Sequence, residues 1–483
     1  MLKKTITIIL LVFGFFASQA QYTFQHIFKD PNFQAPGNII ETSNGDYIFS
    51  ITNVYPIHES KIMKIDKEGI IVDSIVIPDV INVLYTLFKY DENSFFVCGE
   101  WNIDDKYSFW LRKYDYNLQL LNELSVPISG HSNLVRNPMI SNNKSNLIIS
   151  ITCQSSSTSS EVHLFEITPN CEVIKYKEYS SAIASYADDI LQKDSLYYLF
   201  FTGFLHKGFC EIYKLDSAFN ILNVYSMDAS LVGDCNNAKW VNDSVIVFSG
   251  RIRNVITNFW ETKLLKFKID TSIYYWHYPL KDTVFAKNDS NNFIAKKNNI
   301  DFIDVNNIFL GSFVTKEYYG GYLSNDYSHL VLYKLDSALH VKWEKEYGGD
   351  AYYMLISITA TQDGGCIMTG TRYDYLTQNN ETDPFVIKVN SEGNINWVHN
   401  LPSTFMKVSV YPNPGCDKLT VNNPPLNTSL VLYNTYGQAV ITQSLNQSNS
   451  INTNSLQSGV YLYQLIDDKG KVLGAGKWVK GKK

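Results

Sequence analysis

One phrase recurs seven times along the chain, and it restricts the possible folds more than any other feature. In each copy an apolar stretch ends in Lys-x-Asp or a near equivalent, a turn follows, and a second apolar stretch begins. The aspartate position is occupied in turn by Asp66, Asp115, Thr168, Asp216, Asp270, Asp336 and Asn390. Consecutive copies lie roughly 50 to 65 residues apart, so one supersecondary unit is repeated and must bury its faces against its neighbours.

Each repeat has room for about four short strands. Upstream of every Lys-x-Asp strand lies another apolar run that follows polar turn residues, as in NGDYIFSI at 44–51 and GGCIMTGT at 364–371. Four strands in about fifty residues form one blade of a β-propeller. The sequence therefore predicts an all-β fold, with a propeller over residues 21–402 that is most simply seven-bladed.

Two extra strand-like runs flank the repeats. YTFQHIF at 22–28 precedes the first copy, and INWVHNL at 395–401 follows the last Lys-x-Asn. We expect one of the two to complete a blade begun at the other end of the chain, because closing the ring removes an open sheet edge. We expect the repeated aspartate to cap its own turn rather than to bind metal, since Asp accepts hydrogen bonds from nearby backbone N–H groups.

The first twenty residues are typical of a signal peptide. Lys3 and Lys4 precede an apolar core at 6–16, and small residues end the segment, so cleavage is expected between Ala20 and Gln21. The apolar core is too short to span a bilayer, and no later run is long enough, so no transmembrane segment is expected after processing. Export permits disulfides.

Seven cysteines are present, and none forms a CxxC pair, which argues against zinc-ribbon and thioredoxin-like chemistry. Cys153 with Cys171, or Cys210 with Cys235, could form bridges. The alternative is that the cysteines are small apolar residues buried in strands. The odd count leaves at least one free thiol.

Charge and motifs exclude several classes of function. Eight lysines and three aspartates follow Pro402, which gives that segment a net charge of +5, and Lys3 and Lys4 add +2 in the leader. Because the whole chain has a net charge of −6, residues 21–402 have a net charge of −13. Such an acidic body argues against nucleic-acid binding. There is no HExxH, GxSxG, P-loop or EF-hand pattern, so we predict no catalytic residue, metal site or cofactor. The adjacent carboxylates Asp188 and Asp189 are expected to be solvated.

The chain changes character after Pro402, where the repeat stops and the charge becomes positive. Alternating apolar residues and Gly turns predict a small antiparallel β-sandwich over residues 403–483. Four landmarks occur there in order: Tyr411, Pro412, Asn413 and Pro414; a turn with Gly437; Gly459 and Tyr461; and Gly470 with Lys471. In these landmarks the segment resembles the type A sorting domain of the type IX secretion system of Bacteroidetes.

The resemblance implies export through the type IX secretion machinery at the outer membrane, followed by removal of the sorting domain and release or surface attachment of the rest. The repeats also resemble divergent propeller repeats of secreted Bacteroidetes proteins, most clearly in TQDGGCIMTG at 361–370. We predict a binding or adhesion module for glycan or protein, with aromatic loop residues such as Tyr373 and Tyr375 as candidates for sugar stacking. A hydrolase or lyase with carboxylates at the channel mouth is the alternative.

Overall fold

The protein is described from a computed structural model, in which two compact units are separated, Met1–Val398 and His399–Lys483. The structure describes residues 21–55, 59–77, 86–103, 106–128, 133–140, 145–156, 159–181, 185–203, 209–227, 232–269, 281–287, 289–316, 324–377, 381–395, 409–422, 424–434, 439–445, 448–467 and 472–481. The predicted boundary at Pro402 and the run at 396–401 lie outside these residues. All elements of the described chain are strands.

The described part of the first unit forms seven antiparallel sheets, one for each repeat. A single strand, β1 (Phe24–Ile27), precedes them. The first sheet contains β2 (Phe33–Glu41), β3 (Tyr47–Tyr55), β4 (Glu59–Ile65) and β5 (Ile71–Ile77). The second contains β6 (Thr86–Lys89), β7 (Ser94–Ile103), β8 (Lys106–Asp115) and β9 (Leu120–Pro127). The third contains β10 (Asn133–Ile140), β11 (Leu147–Ser156), β12 (Ser159–Ile167) and β13 (Val173–Ser181).

The remaining sheets of this unit continue the same order of strands. The fourth contains β14 (Ser185–Lys193), β15 (Leu196–Gly203), β16 (Phe209–Leu215) and β17 (Ile221–Ser226). The fifth contains β18 (Ala238–Asn242), β19 (Val245–Arg253), β20 (Trp260–Lys268) and β21 (Lys281–Phe285). The sixth contains β22 (Asn291–Ile294), β23 (Ile300–Asp301), β24 (Ile308–Thr315), β25 (Ser328–Leu335) and β26 (Val341–Gly348). The seventh contains β27 (Tyr352–Ala360), β28 (Cys366–Tyr373) and β29 (Asp383–Val389).

The sheets follow one another around a ring, so the unit is a β-propeller. First strands of neighbouring sheets contact each other in the order β2, β6, β10, β14 and β18. β18 then contacts β23 of the sixth sheet, β23 contacts β27 of the seventh, and β27 contacts β2 of the first. β1 completes the seventh sheet by pairing antiparallel with β29, with Phe24 opposite Lys388 and Ile27 opposite Phe385. The run at the N-terminal end is therefore the one that closes the ring, because it covers the outer edge of β29.

Burial decreases from the centre of the ring outwards, and the sequence of each strand follows that gradient. The innermost strands β2 and β27 are buried along nearly their whole length, whereas the outermost strands β9 and β26 alternate between exposed and half-buried residues. Fully buried strands tolerate continuous apolar runs, and outer strands with one face in water alternate. The core is thus divided into apolar clusters between neighbouring sheets.

The aspartate of the repeated phrase caps its own turn, as predicted. The Asp66 carboxylate accepts the backbone N–H groups of Glu68 and Ile70, both at 2.9 Å. Equivalent pairs of bonds are made by Asp115, Asp216, Asp336 and Asn390, whereas Asp270 lies outside the described residues.

The third residue after that aspartate has positive φ, and this feature was not expected. Gly69 and Gly393 occupy it in two copies, but Leu118, Cys171, Phe219 and Leu339 occupy it elsewhere. The bulky side chains are buried, and Phe219 and Leu339 are at most 1% exposed. Burial of these side chains offsets the cost of the left-handed conformation, which is about 1–2 kcal/mol.

The lysine of the phrase ties neighbouring sheets together. Lys64 Nζ donates to the Tyr116 carbonyl at 3.0 Å, and Lys334 Nζ donates to the Ser391 carbonyl at 2.9 Å. In each case the acceptor is the residue that follows the capping residue of the next sheet. In the third copy Glu166 replaces the lysine, and Lys175 pairs with it and donates to the Ser217 carbonyl at 2.6 Å.

One of the two possible disulfides is formed. Cys210 on β16 is bonded to Cys235, which lies just before β18, with the Cα atoms 5.3 Å apart. The bridge therefore joins the fourth sheet to the start of the fifth. Cys153 and Cys171 form no disulfide and are buried in one apolar cluster, so the alternative bridge between them is not present.

The second unit consists of two described antiparallel sheets. One contains β30 (Val410–Tyr411), β31 (Lys418–Val421) and β34 (Ser450–Asn452). The other contains β32 (Thr428–Tyr433), β33 (Ala439–Ser444), β35 (Gly459–Asp467) and β36 (Val472–Lys480), in the order β33, β32, β35, β36. Leu419, Leu430, Leu465 and Trp478 are fully buried between them, and together they form a small sandwich core.

Candidate functional sites

The Tyr-Pro-Asn-Pro segment of the second unit is held against the last strand. The carbonyl of Pro412 accepts the indole N–H of Trp478 at 2.8 Å. The Asn413 side chain accepts the N–H of Val479 at 2.9 Å and donates to the carbonyl of Lys477 at 2.8 Å. The peptide bonds before Pro412 and Pro414 are both cis. The opening landmark and the last strand, far apart in sequence, therefore form one structure.

The other landmark residues divide between core and surface. Tyr461 is 8% exposed, its ring lies against Trp478 and its hydroxyl donates to the Gln457 carbonyl. Tyr411 is half exposed, and Gly459 opens β35 with no atom near the position of a Cβ. Gly437, Gly470 and Lys471 lie outside the described residues.

Sequence reasoning missed two residues of this unit. Trp478 is the largest buried side chain among the described residues of the sandwich. Lys480 is only 9% exposed and donates to the carbonyl of Thr453 at 2.8 Å and to that of Cys416. Cys416 therefore contributes its backbone carbonyl to this contact with Lys480.

At the predicted signal-peptide cleavage site, Ala20 lies outside the described residues and Gln21 lies inside. The Gln21 side chain accepts the N–H of Ser391 at 2.9 Å and donates to the carbonyl of Asp363. Both partners belong to turns of the seventh sheet, so the residue that cleavage would leave first is held beside β1 and β29.

The first unit has a central cavity of about 700 Å³ among its innermost strands. Its wall includes Asn38, Thr86, Asn237, Lys239 and Asn298, which belong to four different sheets, and its mouth includes Lys89 and Glu92. Amide, hydroxyl and charged groups thus predominate where a ligand would enter. Such groups fix the orientation of a small polar ligand.

Many of these polar groups also join neighbouring sheets. The Asn38 side chain donates to the Leu87 carbonyl at 2.6 Å and accepts its N–H at 2.7 Å. Lys239 pairs with Asp301 at 2.5 Å, and the other Asp301 oxygen accepts the N–H of Ala360 at 2.8 Å. The polar lining is therefore part of the structure of the ring.

Asp189 was expected to be solvated, and this was wrong. It is 4% exposed, and its carboxylate accepts the N–H groups of Ala238 at 2.6 Å and Ile190 at 2.8 Å and the side-chain amide of Asn237 at 3.0 Å. Burial raises the pKa of Asp189 to about 7, although these three bonds oppose the rise. The expectation failed because Asp189 lies on an innermost strand, where neighbouring sheets exclude water.

Two of the predicted aromatic stacking residues, Tyr373 and Tyr375, lie in the described part of the chain, and neither is fully exposed. Tyr373 is 6% exposed, and Tyr375 packs against the apolar core of the seventh sheet. Other tyrosines of the loops, Tyr318, Tyr319 and Tyr322, lie outside the described residues. No helix in the described part of the chain has the length and apolar character needed to cross a membrane.

Comparison with known proteins identifies the C-terminal unit. Residues 409–478 match the family model described as the secretion system C-terminal sorting domain. No curated protein matches the chain. Among solved structures, the chain is similar to the β-propeller domain of the Trilobed protease from Pyrococcus furiosus, with 10% identity, a TM-score of 0.45 and coverage of 76% of this chain and 100% of that one.

Two further solved structures are similar at the same level. One is the extracellular domain of a hybrid two-component system protein from B. thetaiotaomicron, with 10% identity, a TM-score of 0.43 and coverage of 95% and 58%. The other is a subtype N10 neuraminidase-like protein of A/little yellow-shouldered bat/Guatemala/060/2010, with 11% identity, a TM-score of 0.35 and coverage of 64% of this chain and 94% of that one. The protein is a secreted or cell-surface β-propeller that carries a C-terminal sorting domain of the type IX secretion system.

Proposed function

We propose that the propeller is a binding module whose ligand enters the central cavity. The cavity itself supports this proposal most directly, because its volume of about 700 Å³ suits a ligand of a few sugar rings. Amide, hydroxyl and charged side chains at its wall match the hydrogen-bonding groups of a hydroxylated ligand. A glycan is therefore the ligand class we favour.

Lys89 and Glu92 at the cavity mouth provide the test. They form an ion pair at 3.5 Å with the carboxylate largely exposed, so their replacement leaves the ring intact. We expect the exported chain to bind members of a glycan array and the double variant Lys89→Ala, Glu92→Ala to bind them at least about tenfold more weakly. The matched control is Lys61→Ala, Glu59→Ala, which removes a similar exposed pair outside the cavity. Equal binding by all three proteins contradicts the proposal.

A secreted hydrolase or lyase is the second candidate. Glu41, Glu92, Asp189 and Asp301 all line the cavity. Burial raises the pKa of both Glu41 and Asp189, and a carboxyl that is protonated near neutral pH can act as a general acid. The binding role is preferred because Asp189 and Asp301 already accept bonds from neighbouring sheets. Turnover of a bound glycan that is lost in Asp189→Asn would favour the enzyme instead.

We also propose that Tyr411, Pro412, Asn413 and Pro414, with Gly437, Gly459, Gly470 and Lys471, present the surface that the type IX machinery recognises, and that the buried Tyr461 supports this surface from the core. The Trp478 indole and Asn413 amide bonds support it, because they hold this segment in one shape against β36. Cleavage after Ala20 and later removal of the sorting domain, as in Bacteroidetes, complete the route. Deletion of residues 408–483 should retain the protein in the periplasm, and unchanged surface display would contradict the assignment.

A further inference from the structure

The hairpin between β19 and β20 presents two aliphatic side chains to water. Val255 is 97% exposed and Ile256 is 90% exposed, more than any other large apolar residue described in the chain. Both lie at the tip of the turn formed by residues 254–259. Single exposed apolar residues are common on proteins, but two adjacent ones at a protruding tip are suited to insertion into an apolar phase.

The tip is held in a defined conformation by Asn254. Its side-chain oxygen accepts the N–H groups of Ile256 at 2.9 Å and Thr257 at 3.1 Å. Its backbone donates to the carbonyl of Phe259 and accepts the N–H of Asn258, both at 2.9 Å. The side-chain amide also donates to Glu261 at 2.7 Å. Because these hydrogen bonds already order the turn, the two aliphatic side chains can contact a partner with little further loss of backbone conformational entropy.

Basic groups lie directly beside the tip. A pocket of about 370 Å³ is lined by Arg253, Lys316, Phe259 and the amides of Asn258 and Asn291. Arg253 and Lys316 are both exposed, and no acidic residue lines this pocket within the part of the chain described. This local positive site contrasts with the net charge of −13 of residues 21–402. The contrast indicates a partner that combines anionic groups with an apolar interior.

We propose that this hairpin docks the propeller on a lipid bilayer with anionic headgroups. Val255 and Ile256 would insert below the headgroups, while Arg253 and Lys316 would contact the phosphates. A bilayer fits better than a protein partner, because protein interfaces are anchored by Trp, Tyr and Arg, and Val is under-represented there. It fits better than a glycan, because branched aliphatic side chains lack the flat face that stacks on a sugar ring. The inference stands apart from the proposed ligand of the central cavity.

The test uses the exported chain and two kinds of vesicle, one of phosphatidylcholine and one of phosphatidylcholine with an equal amount of phosphatidylglycerol. We expect co-sedimentation with the anionic vesicles, weakened by high salt because exposed charges are screened, and weaker co-sedimentation with vesicles of phosphatidylcholine alone. The variant Val255→Asp, Ile256→Asp should lose at least about tenfold in partition coefficient on both kinds of vesicle. The variant Arg253→Gln, Lys316→Gln should lose binding only on the anionic kind.

Ile70→Asp is the matched control, because Ile70 is a half-exposed aliphatic residue in the turn between β4 and β5, at the opposite end of the strands from the hairpin. It should bind like the unmodified protein. No vesicle binding by the unmodified protein, equal binding by the hairpin variants, or competition by free inorganic phosphate alone overturns the proposal. Capture of a soluble protein by the tip without vesicle binding also overturns it. Unchanged circular dichroism of each variant shows that folding is not the cause.

Discussion

Removal of the disulfide between Cys210 and Cys235 should lower the stability of the propeller by a calculable amount. The two cysteines are 25 residues apart, and their bond closes a loop that joins the fourth sheet to the fifth. The chain-entropy relation for a loop of this length gives about 3.5 kcal/mol at 25 °C. Both positions are fully buried, so the double variant Cys210→Ala, Cys235→Ala also loses some apolar packing.

The expected shift in melting temperature follows from the size of the unit. An unfolding entropy of about 2.1 cal/mol/K per residue over about 380 residues gives about 0.8 kcal/mol/K, so 3.5 kcal/mol corresponds to about 4 °C. Differential scanning calorimetry of the unmodified protein and the double variant measures this shift. Reductant should lower the melting temperature of the unmodified protein and leave that of the variant unchanged.

Thiol counting provides the independent check. Five of the seven cysteines form no disulfide in the structure, namely Cys98, Cys153, Cys171, Cys366 and Cys416. Alkylation of the exported protein in denaturant without reductant should therefore modify five thiols, and with reductant seven. Seven modified thiols without reductant, or a variant that melts within about 1 °C of the unmodified protein, would refute the reasoning.

Three further predictions address the ring, its buried charges and its pH dependence. Phe24→Ala should cost about 3–4 kcal/mol in urea unfolding, because Phe24 on the closing strand is 5% exposed and its ring fills the space beside Gly69. Lys388→Met should lower the free energy of unfolding by about 3 kcal/mol, because the fully buried Lys388 pairs with Asp363 at 2.8 Å. Lys388 also lowers the pKa of Asp363, which stabilises the folded state by an amount that is lost as pH falls, so the variant should lose less stability on acidification. The free energy of unfolding of the unmodified protein should fall between about pH 4 and 7, because the raised pKa of Asp189 means that the folded state binds a proton more tightly, and this stabilisation is lost as pH rises through about 7. Asp189→Asn should remove this fall. An unfolding free energy that decreases equally with pH in the variant would contradict the prediction.

Much of the propeller was predictable because repetition is a property of the sequence. The strands before and after Asp66 and its equivalents were located, and the turn caps were assigned, from local patterns alone. Strand alternation and turn chemistry act over a few residues, so they can be read without knowledge of distant partners. The sorting domain was predictable for a different reason, since its landmarks from Tyr411 to Tyr461 occur in a fixed order.

The candidate sites were less predictable, because they depend on which sheets become neighbours. Nothing local distinguishes Asp189, which is buried and bonded to the next sheet, from the solvated aspartates of the turns. The disulfide partner of Cys210 was one of several possibilities until the fourth and fifth sheets were adjacent. Lys480 resembles its neighbouring lysines in sequence but lies over two carbonyl groups of the sandwich.

The all-β class, the repeat and the sorting tail could be inferred from the sequence, because each depends on residues that lie close together, and the acidic charge of the body is a sum over its residues. The choice of Tyr22 to Phe28, rather than the run after Asn390, as the closing strand required the tertiary structure. It also decided which polar groups face the central cavity and which aliphatic pair protrudes at Val255 and Ile256. Burial and exposure are properties of the closed ring, because each sheet is covered by the two that flank it.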